Sequence, residues 1–350
     1  MQREIAIAGR VIGPGHPCFV IAEAGVNHNG SIDLGKQLID VAVEAGADAV
    51  KFQTFKADKL ASASAPKAKY QIDNTGTTES QHEMLRRLEL TGEMQNAMAA
   101  HCRERGILFL STPFDADSAD ELDALAVPAF KVPSGEITNL PLLRHIARKN
   151  KPMIVSTGMS WLGEVETALR AIASEGNDAV AVLHCVSNYP ASPSDINLRA
   201  MATMADAFRI PVGYSDHSSG IEIAIAAAAH GATIIEKHFT IDRKLPGPDH
   251  VASLEPDELR EMIRAIRAVE AALGDGIKRP APSEANTADV ARRSLVAAKA
   301  IAAGTVLTEE HIAILRPGTG LAPSMLPQIV GRTLRTAVGE GTLFRLEMLV

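Results

Sequence analysis

Two histidines, His217 and His238, each lie at the polar end of a stretch that begins with a short apolar run, among residues that can do chemistry. The stretches are GYSDHSSG at residues 213–220 and IIEKHFT at residues 234–240, and an alanine-rich segment typical of a helix separates them. In a (β/α)8 barrel the ends of neighbouring parallel strands lie on one face, so two imidazoles there could share one divalent metal ion. A lone histidine is more often structural, but two at adjacent strand ends favour a metal site.

The other predicted strand ends carry two further kinds of chemistry. Lysines and hydroxyls can bind a phosphate or carboxylate through charge and hydrogen bonds, and carboxyl groups can accept or donate a proton. The candidates for anion binding are Lys51, Thr112, Lys131, Ser134 and Ser215, and those for proton transfer are Glu23 and Glu136. The remaining polar residues at these ends are Asn27, Gln53, Tyr189, Asp216, Glu236 and Lys237.

Each of these groups also has a structural interpretation. Lys51 and Lys131 could form ion pairs inside a barrel, or one of them could be a Schiff-base nucleophile. Glu23 is as well suited to a structural ion pair as to catalysis. The sequence pattern alone leaves these alternatives open.

The elements that must position these residues form an alternating pattern of apolar runs and helical segments, typical of a (β/α)8 barrel. Eight strands and eight helices are predicted, after a β-hairpin within residues 4–19. An open, doubly wound sheet would need a glycine-rich phosphate fingerprint after its first strand, and AEAGVNHNG at residues 22–30 is a poor match. Besides the two histidine-bearing stretches, the predicted strands are residues 18–22, 49–52, 107–110, 129–132, 153–156 and 179–183.

Two further regions interrupt or follow this pattern. Residues 55–90 form a long polar insertion, either a lid over a binding site or a surface excursion. The barrel domain is predicted to span residues 1–277, followed by a Pro-rich polar linker at residues 278–293. Residues 294–350 alternate short apolar pieces with Gly and Pro turns, which predicts a small, mostly β domain.

The composition excludes several classes of protein. The 350 residues carry 35 Lys and Arg against 42 Asp and Glu, a formal net charge of -7, which argues against binding to nucleic acid through phosphate neutralisation. No apolar run reaches membrane-spanning length and the N-terminus has no signal-peptide pattern, so a cytoplasmic protein is expected. Cys18, Cys102 and Cys185 are too scattered for a disulfide framework.

Eight motifs in order resemble the sialic acid synthase family: VIAEAGVNHNG, VKFQT, FLSTPFD, FKVPSGE, LHCVSNYP, GYSDHSSG, IEKHFT and GPDH. The resemblance covers nearly the whole chain, and the C-terminal part is similar to the family's antifreeze-like (SAF) domain. It implies a (β/α)8 barrel enzyme that condenses phosphoenolpyruvate with an N-acylated mannose-type sugar and water. The products would be a nonulosonic acid and phosphate.

The resemblance also implies a role for each matching residue. His217 and His238 would bind Mn²⁺, or Mg²⁺ or Co²⁺, and Glu136 would steer or deprotonate the attacking water. Phosphoenolpyruvate would be held by Lys51, Thr112, Lys131, Ser134 and Ser215. The sugar would contact Glu23, Gln53, Tyr189 and Asp249, with Ser187 at a position where some relatives have Asn, and with Arg316 from the partner of a domain-swapped homodimer.

The exact sugar is left open between N-acetylmannosamine and 2,4-diacetamido-2,4,6-trideoxymannose, although the insertion is more similar to legionaminic-type relatives. Two other functions are also left open. One is an aldolase that forms a Schiff base between Lys131 or Lys51 and pyruvate and acts on a similar sugar, and the other is a non-catalytic carbohydrate-binding barrel.

Overall fold

The computed structural model describes residues 1–75 and 79–350, so residues 76–78 of the insertion lie outside the described residues. The chain divides into two compact units, Met1–Gly274 and Asp275–Val350. No helix in the described ranges is both long and apolar enough to cross a membrane.

The first unit is built on eight parallel strands that follow an antiparallel hairpin. The order in the sheet is β5-β4-β3-β10-β9-β8-β7-β6, and the two end strands, β5 and β6, also lie side by side, so the barrel is nearly closed. This confirms the predicted (β/α)8 fold. The hairpin is β1 (Ile5–Ile7) and β2 (Arg10–Ile12), and the barrel strands are β3 (Phe19–Gly25), β4 (Ala49–Thr54), β5 (Leu108–Pro113), β6 (Phe130–Val132), β7 (Met153–Ser156), β8 (Val180–Cys185), β9 (Val212–Asp216) and β10 (Ile234–His238).

Helices connect the strands in sequence, and three short ones lie within the insertion. The connecting helices are α1 (Ile32–Ala45), α5 (Gly92–Arg105), α6 (Ala116–Ala124), α7 (Leu140–Ala147), α8 (Leu162–Ala173), α10 (Ala200–Phe208), α11 (Glu222–Ala229) and α12 (Pro256–Leu273). The insertion holds α2 (Ala57–Leu60), α3 (Lys69–Thr75) and α4 (Gln81–Leu88), while α9 (Pro193–Ile196) precedes α10 and 3-10 turns lie at Ser134–Glu136 and His250–Ala252.

The ends of α1 follow the chemistry of its flanking residues. Ser31 caps the helix because its hydroxyl accepts a hydrogen bond from the Leu34 amide at 3.3 Å. Gly46 ends it in the left-handed region at φ +83°, where a residue without Cβ is favoured. These two ends set the point at which β4 starts.

Side-chain alternation divides the barrel interior into an apolar end and a polar end. Because successive residues of a strand point to opposite faces, Phe19 and Ile21 of β3 and Ile234 of β10 fill the interior, and the next inward positions carry polar groups. Ile5 and Ile7 of the hairpin belong to the same buried interior cluster. The N-terminal end of the barrel is therefore filled with hydrocarbon, and polar side chains gather at the opposite end.

The second unit is small, and its regular strands are β11 (Ser294–Ala297) and β12 (Ile312–Leu315), which pair antiparallel. Isolated bridges such as Val296–Leu343 and Ile301–Val338 extend the pairing around its own core, which includes Leu295, Leu307 and Phe344. The predicted linker at residues 278–293 contains helical segments. These segments and the unit's other short helices are Pro282–Glu284, α13 (Ala285–Ala291), Glu309–His311, Pro323–Met325, α14 (Leu326–Ile329) and Leu346–Met348.

Candidate active site

A cavity of ≈ 390 Å³ opens at the C-terminal ends of the barrel strands, and every strand of the barrel contributes to its lining. It brings together all the predicted site residues except Glu136 and Arg316. Those it gathers are Glu23, Lys51, Gln53, Thr112, Lys131, Ser134, Ser187, Tyr189, Ser215, His217, His238 and Asp249.

Two lysines and two carboxylates alternate on the cavity floor. The Lys51 ammonium lies 2.7 Å from a Glu23 carboxylate oxygen and 3.7 Å from Glu236, and Lys131 lies 3.3 Å from Glu236. Lys51 also donates to the Thr112 hydroxyl at 2.8 Å. All four charged side chains are buried, so their charges act on one another with little screening by water.

The two carboxylates have opposite pKa shifts. Burial raises the pKa of Glu23 to about 7, against the attraction of Lys51. Burial also acts to raise the pKa of Glu236, but the attraction of Lys131 and Lys51, with a hydrogen bond from the Ser215 hydroxyl at 3.0 Å, outweighs it and lowers the pKa to about 2. Glu236 is therefore a permanent anion, whereas Glu23 can gain or lose a proton near neutrality.

The pKa values of the two lysines are also shifted in opposite directions. Burial disfavours the charged form of both, but attraction to Glu23 and Glu236 prevails at Lys51 and raises its pKa. At Lys131 burial prevails over the attraction of Glu236, and the pKa is lowered. Lys51 is thus held as a cation, and Lys131 depends on Glu236 for its charge.

His217 and His238 lie close together with their ring centroids 5.7 Å apart. His217 Nδ1 is 2.7 Å from the Val186 carbonyl oxygen, so it carries the proton and leaves Nε2 as an electron-pair donor. His238 Nδ1 is buried and has no hydrogen-bond partner within the described chain. Gly25, at φ +54°, makes room for the His238 ring, because a Cβ there would lie 3.3 Å from its Cε1 atom.

This donor set fits a metal site with two protein nitrogens and open positions. Burial lowers the pKa of His217 to about 4 and that of His238 well below its usual value, so both rings are neutral, as ligation requires. No group of three or more His, Cys, Asp or Glu side chains suited to a metal occurs in residues 1–75 and 79–350. Water or substrate oxygens would therefore have to complete the coordination of any ion held there.

A column of aromatic rings joins the insertion to the histidines. Tyr70 of α3 packs on Tyr189 with centroids 5.0 Å apart, and Tyr189 packs on His217 at 4.0 Å. Nearby, the Asn74 side-chain amide donates to the Pro248 carbonyl at 2.7 Å. Next to Pro248, burial raises the pKa of the Asp249 carboxyl to about 6. The described part of the insertion is thus a wall of the cavity and not a surface excursion.

Glu136 is not among the residues that line the cavity. It lies half-buried on the turn that follows β6, where its carboxylate accepts a hydrogen bond from the Asn139 side-chain amide at 2.7 Å. Ser134, two residues earlier, does line the cavity and accepts a hydrogen bond from the Gly158 amide at 2.9 Å. The strand alternation that aims Lys131 inward ends before this turn, so it does not determine the direction of Glu136.

Arg316 belongs to the second unit, where its Nε donates to the Ala291 carbonyl oxygen at 3.0 Å. Its predicted contact with a sugar stays a prediction.

Sequence reasoning missed the role of Glu236, which it placed at a strand end without assigning it to the site. The available signal was alternation along β10: if His238 points inward, Glu236 and Ile234 must point inward as well. Asp216 and Lys237 have the opposite parity and face outward. They form a buried ion pair of 2.7 Å behind the site, linking the two strands that carry the histidines.

The chain matches the NeuB family over residues 38–278 and the SAF domain over residues 292–350. It is 47% identical over 329 residues to N,N'-diacetyllegionaminic acid synthase of Legionella pneumophila, covering 93% of this chain and 92% of the relative. The synthase of the same name from Campylobacter jejuni is 46% identical, covering 93% and 98%.

A solved structure extends this similarity to the fold. The N-acetylneuraminic acid (sialic acid) synthetase of Leptospira borgpetersenii is 34% identical and superposes with a TM-score of 0.72, covering 82% of this chain and 95% of that one. Both units of the chain thus have counterparts among known proteins, in the order in which they occur here.

Proposed function

The chain belongs to the NeuB family and carries a SAF domain, and we propose that it joins phosphoenolpyruvate to an open-chain, N-acylated mannose-type sugar. The two synthases of N,N'-diacetyllegionaminic acid match it over more than nine tenths of the chain, so the chain is an enzyme of that kind. The observation that supports the proposal is the cavity itself, where Lys51, Lys131 and several hydroxyl groups lie beside a pair of neutral imidazoles.

The floor is suited to phosphoenolpyruvate because its charge can become positive. With Glu23 and Glu236 both ionised, the two carboxylates balance Lys51 and Lys131. When Glu23 takes up a proton, which its pKa of about 7 permits near neutrality, the floor has a net positive charge and favours an anion. The hydroxyls of Thr112, Ser134 and Ser215 add hydrogen bonds to phosphate or carboxylate oxygens.

His217 and His238 would hold a divalent ion such as Mn²⁺, Mg²⁺ or Co²⁺ near the sugar's aldehyde. Such an ion, when bound, acts as a Lewis acid that polarises the aldehyde. The Val186 carbonyl fixes the His217 tautomer and orientation, as an outer-shell partner does for a ligating histidine.

The reaction balances with these groups. The CH₂ carbon of phosphoenolpyruvate attacks the aldehyde carbon, forming the new C–C bond and turning the aldehyde oxygen into a hydroxyl. Water adds to the phosphate-bearing carbon, and the adduct breaks its C–O bond to release phosphate and leave a 2-oxo acid. One proton of the water goes to the new hydroxyl and the other leaves with phosphate. Family resemblance assigns the water's proton to Glu136, while the pKa of Glu23 near 7 suits the same step.

An aldolase that forms a Schiff base with pyruvate is the alternative. The lowered pKa of Lys131 would make it the better nucleophile of the two lysines. Borohydride added with pyruvate traps such an adduct covalently, so mass spectrometry of the treated protein distinguishes the two reactions.

The test is release of phosphate from phosphoenolpyruvate in the presence of N-acyl mannose-type sugars. We expect turnover that requires both substrates, that stops in strong chelator and that returns with Mn²⁺ or Co²⁺. The variants His217→Ala and His238→Ala should remain folded and inactive. Full activity in chelator would contradict the role of the histidines, and a borohydride-trapped lysine without phosphate release would favour the aldolase.

A further inference from the structure

A buried ion pair lies directly behind the two candidate metal ligands. Asp216 precedes His217 and Lys237 precedes His238, and the two charged residues stand opposite each other in the neighbouring strands β9 and β10. Both side chains are buried, and the Lys237 ammonium lies 2.7 Å from an Asp216 carboxylate oxygen. The pair takes no part in the reaction described above, so its presence at this position needs another explanation.

This ion pair is an exception on its face of the sheet. Positions of the same parity nearer the start of the two strands carry Val212 and Ile235, which belong to the main apolar core. Removing two charges from water is costly, and well-packed apolar residues of similar size often give equal or greater stability. Stability alone is therefore a weak reason for an ion pair here, and its contacts indicate a role in positioning.

The contacts of the pair close a turn around His217. One Asp216 carboxylate oxygen accepts hydrogen bonds from the Ser218 amide at 2.9 Å and from the Ser218 hydroxyl at 2.7 Å. The Lys237 ammonium donates to the Ser218 carbonyl as well as to the other Asp216 oxygen. The residues on either side of His217 are thus bonded both to each other and to Lys237. We call Asp216, Ser218 and Lys237 the clamp.

The clamp also fixes His217 relative to His238. Because successive side chains of a strand point to opposite faces, Lys237 points away from the cavity and His238, the next residue, points into it. One side chain of β10 therefore holds the turn that carries the first imidazole, and the adjacent residue of the same strand carries the second. The backbone that sets the separation of the two rings, 5.7 Å between centroids, is cross-linked by the clamp.

A site with two protein nitrogens depends strongly on how well these are positioned before the ion binds. Two imidazoles already at the required spacing lose little conformational freedom on binding, whereas a loose pair must be ordered by the ion itself. Water or substrate oxygens at the other coordination positions do nothing to fix the rings. The clamp supplies a cross-strand link that does so.

We propose that the clamp positions His217 and His238 for the metal ion and thereby sets the affinity of the site. The inference rests on the proposed function, because that function places the ion at these histidines. It gives Asp216 and Lys237 a role beyond stability, so that loss of the clamp weakens metal binding even in a chain that remains folded.

The test measures binding of Mn²⁺ alone, without substrates, from the electron paramagnetic resonance signal of the free ion. The main variant combines Asp216→Leu with Lys237→Met, which removes both charges and leaves neither buried and unpaired. We expect its dissociation constant for Mn²⁺ to rise by about 10- to 100-fold, the range for removal of an outer partner of a metal ligand. Circular dichroism and denaturant titration establish that the variant is folded at the temperature of the measurement.

A second double variant, Asp216→Asn with Lys237→Met, keeps an acceptor for the Ser218 amide and hydroxyl but loses the link to β10. Its affinity for Mn²⁺ should lie between those of the wild type and the main variant, and it decides the question if the main variant does not fold. The matched control is Arg267→Met, which breaks ion pairs with Asp48 and Glu270 outside the cavity lining. This control should lower stability without changing the affinity for Mn²⁺.

The outcomes separate the two proposals. Wild-type affinity for Mn²⁺ in either double variant, once it is folded, overturns the role of the clamp while the proposed function stands. An equal loss of affinity in Arg267→Met also overturns it, because destabilisation alone would then explain the effect. No binding of Mn²⁺ by the wild type, or binding that His217→Ala retains in full, overturns the metal site of the proposed function and the inference with it.

Discussion

Replacing Glu236 by Gln should make the binding of phosphoenolpyruvate sensitive to alkaline pH. The carboxylate lies 3.3 Å from Lys131, and at an effective dielectric constant of about 20 their attraction is about 5 kcal/mol. Burial already lowers the pKa of Lys131, and Glu236 is the main group that opposes this. Each 1.36 kcal/mol of lost attraction corresponds to a pKa shift of about one unit. Losing even a third of this attraction would therefore lower the pKa of Lys131 by more than one unit.

The sign of the effect follows from the charge of the lysine. Phosphoenolpyruvate needs protonated Lys131, so its affinity is lost as pH rises through the pKa of that lysine. In Glu236→Gln this loss should begin at lower pH than in the wild type. Below that pH the variant should bind the anion at least as tightly, because a negative charge has been removed from the floor.

The assay is calorimetric titration of phosphoenolpyruvate across pH, which measures binding without turnover. Asp249→Asn is the matched control: it removes a carboxylate from the same cavity, and that carboxylate forms no ion pair with either lysine in the described chain. In Asp249→Asn, the affinity for phosphoenolpyruvate should fall at the same alkaline pH as in the wild type. If the affinity of Glu236→Gln also falls at the wild-type pH, the argument that Glu236 maintains the charge of Lys131 is refuted.

Three further predictions concern Glu136, Arg316 and Lys237. Glu136→Gln should lower turnover by about 10²- to 10⁴-fold with phosphoenolpyruvate affinity retained, and a near-normal rate would move the water-activating role to Glu23. Mixing Arg316→Ala with His217→Ala subunits, each inactive alone, should restore activity after subunit exchange if Arg316 acts on the partner's site; no recovery after confirmed exchange would place it in its own chain or outside the site. Lys237→Met should cost about 3–5 kcal/mol in the free energy of unfolding, because it leaves Asp216 buried and unpaired, and denaturant titration should show that Asp216→Leu added to it recovers part of the loss.

Much of the site could be predicted because it follows from strand alternation. Glu23, Lys51 and Lys131 point into the barrel for the same reason that Ile21 and Ala49 do, and apolar runs reveal that register in the sequence. The strands continue farther than the apolar runs: β3 includes Glu23 and β10 includes His238. The polar residues at these strand ends remain in the sheet because neighbouring parallel strands form backbone hydrogen bonds whatever side chains they carry.

The rest of the fold and of the site could not be predicted, because it depends on features that no local sequence pattern indicates. Helix α5 has only a weak sequence signal, because Met94, Met98 and Cys102 recur at helical spacing but its buried face has no branched aliphatic residue. Glu136 follows a strand by four residues, and a turn intervenes, so strand alternation does not determine where its side chain points. Leu60 of α2 and Leu85 of α4 both line the cavity, but α3 lies between these helices in the sequence, so neither residue identifies itself as part of a binding surface.

The hairpin at the start of the chain affects how substrates and products reach and leave the cavity. Ile5, Ile7 and Ile12 join the hydrocarbon that fills the N-terminal end of the barrel, so the cavity is a blind pocket with one mouth. Whatever binds to the lysines on the floor must enter before the molecule that sits above it. On the proposed reaction, phosphoenolpyruvate, the sugar and both products all pass through this one mouth. The hydrocarbon at the N-terminal end of the barrel thereby leaves the C-terminal mouth as the route for every reactant.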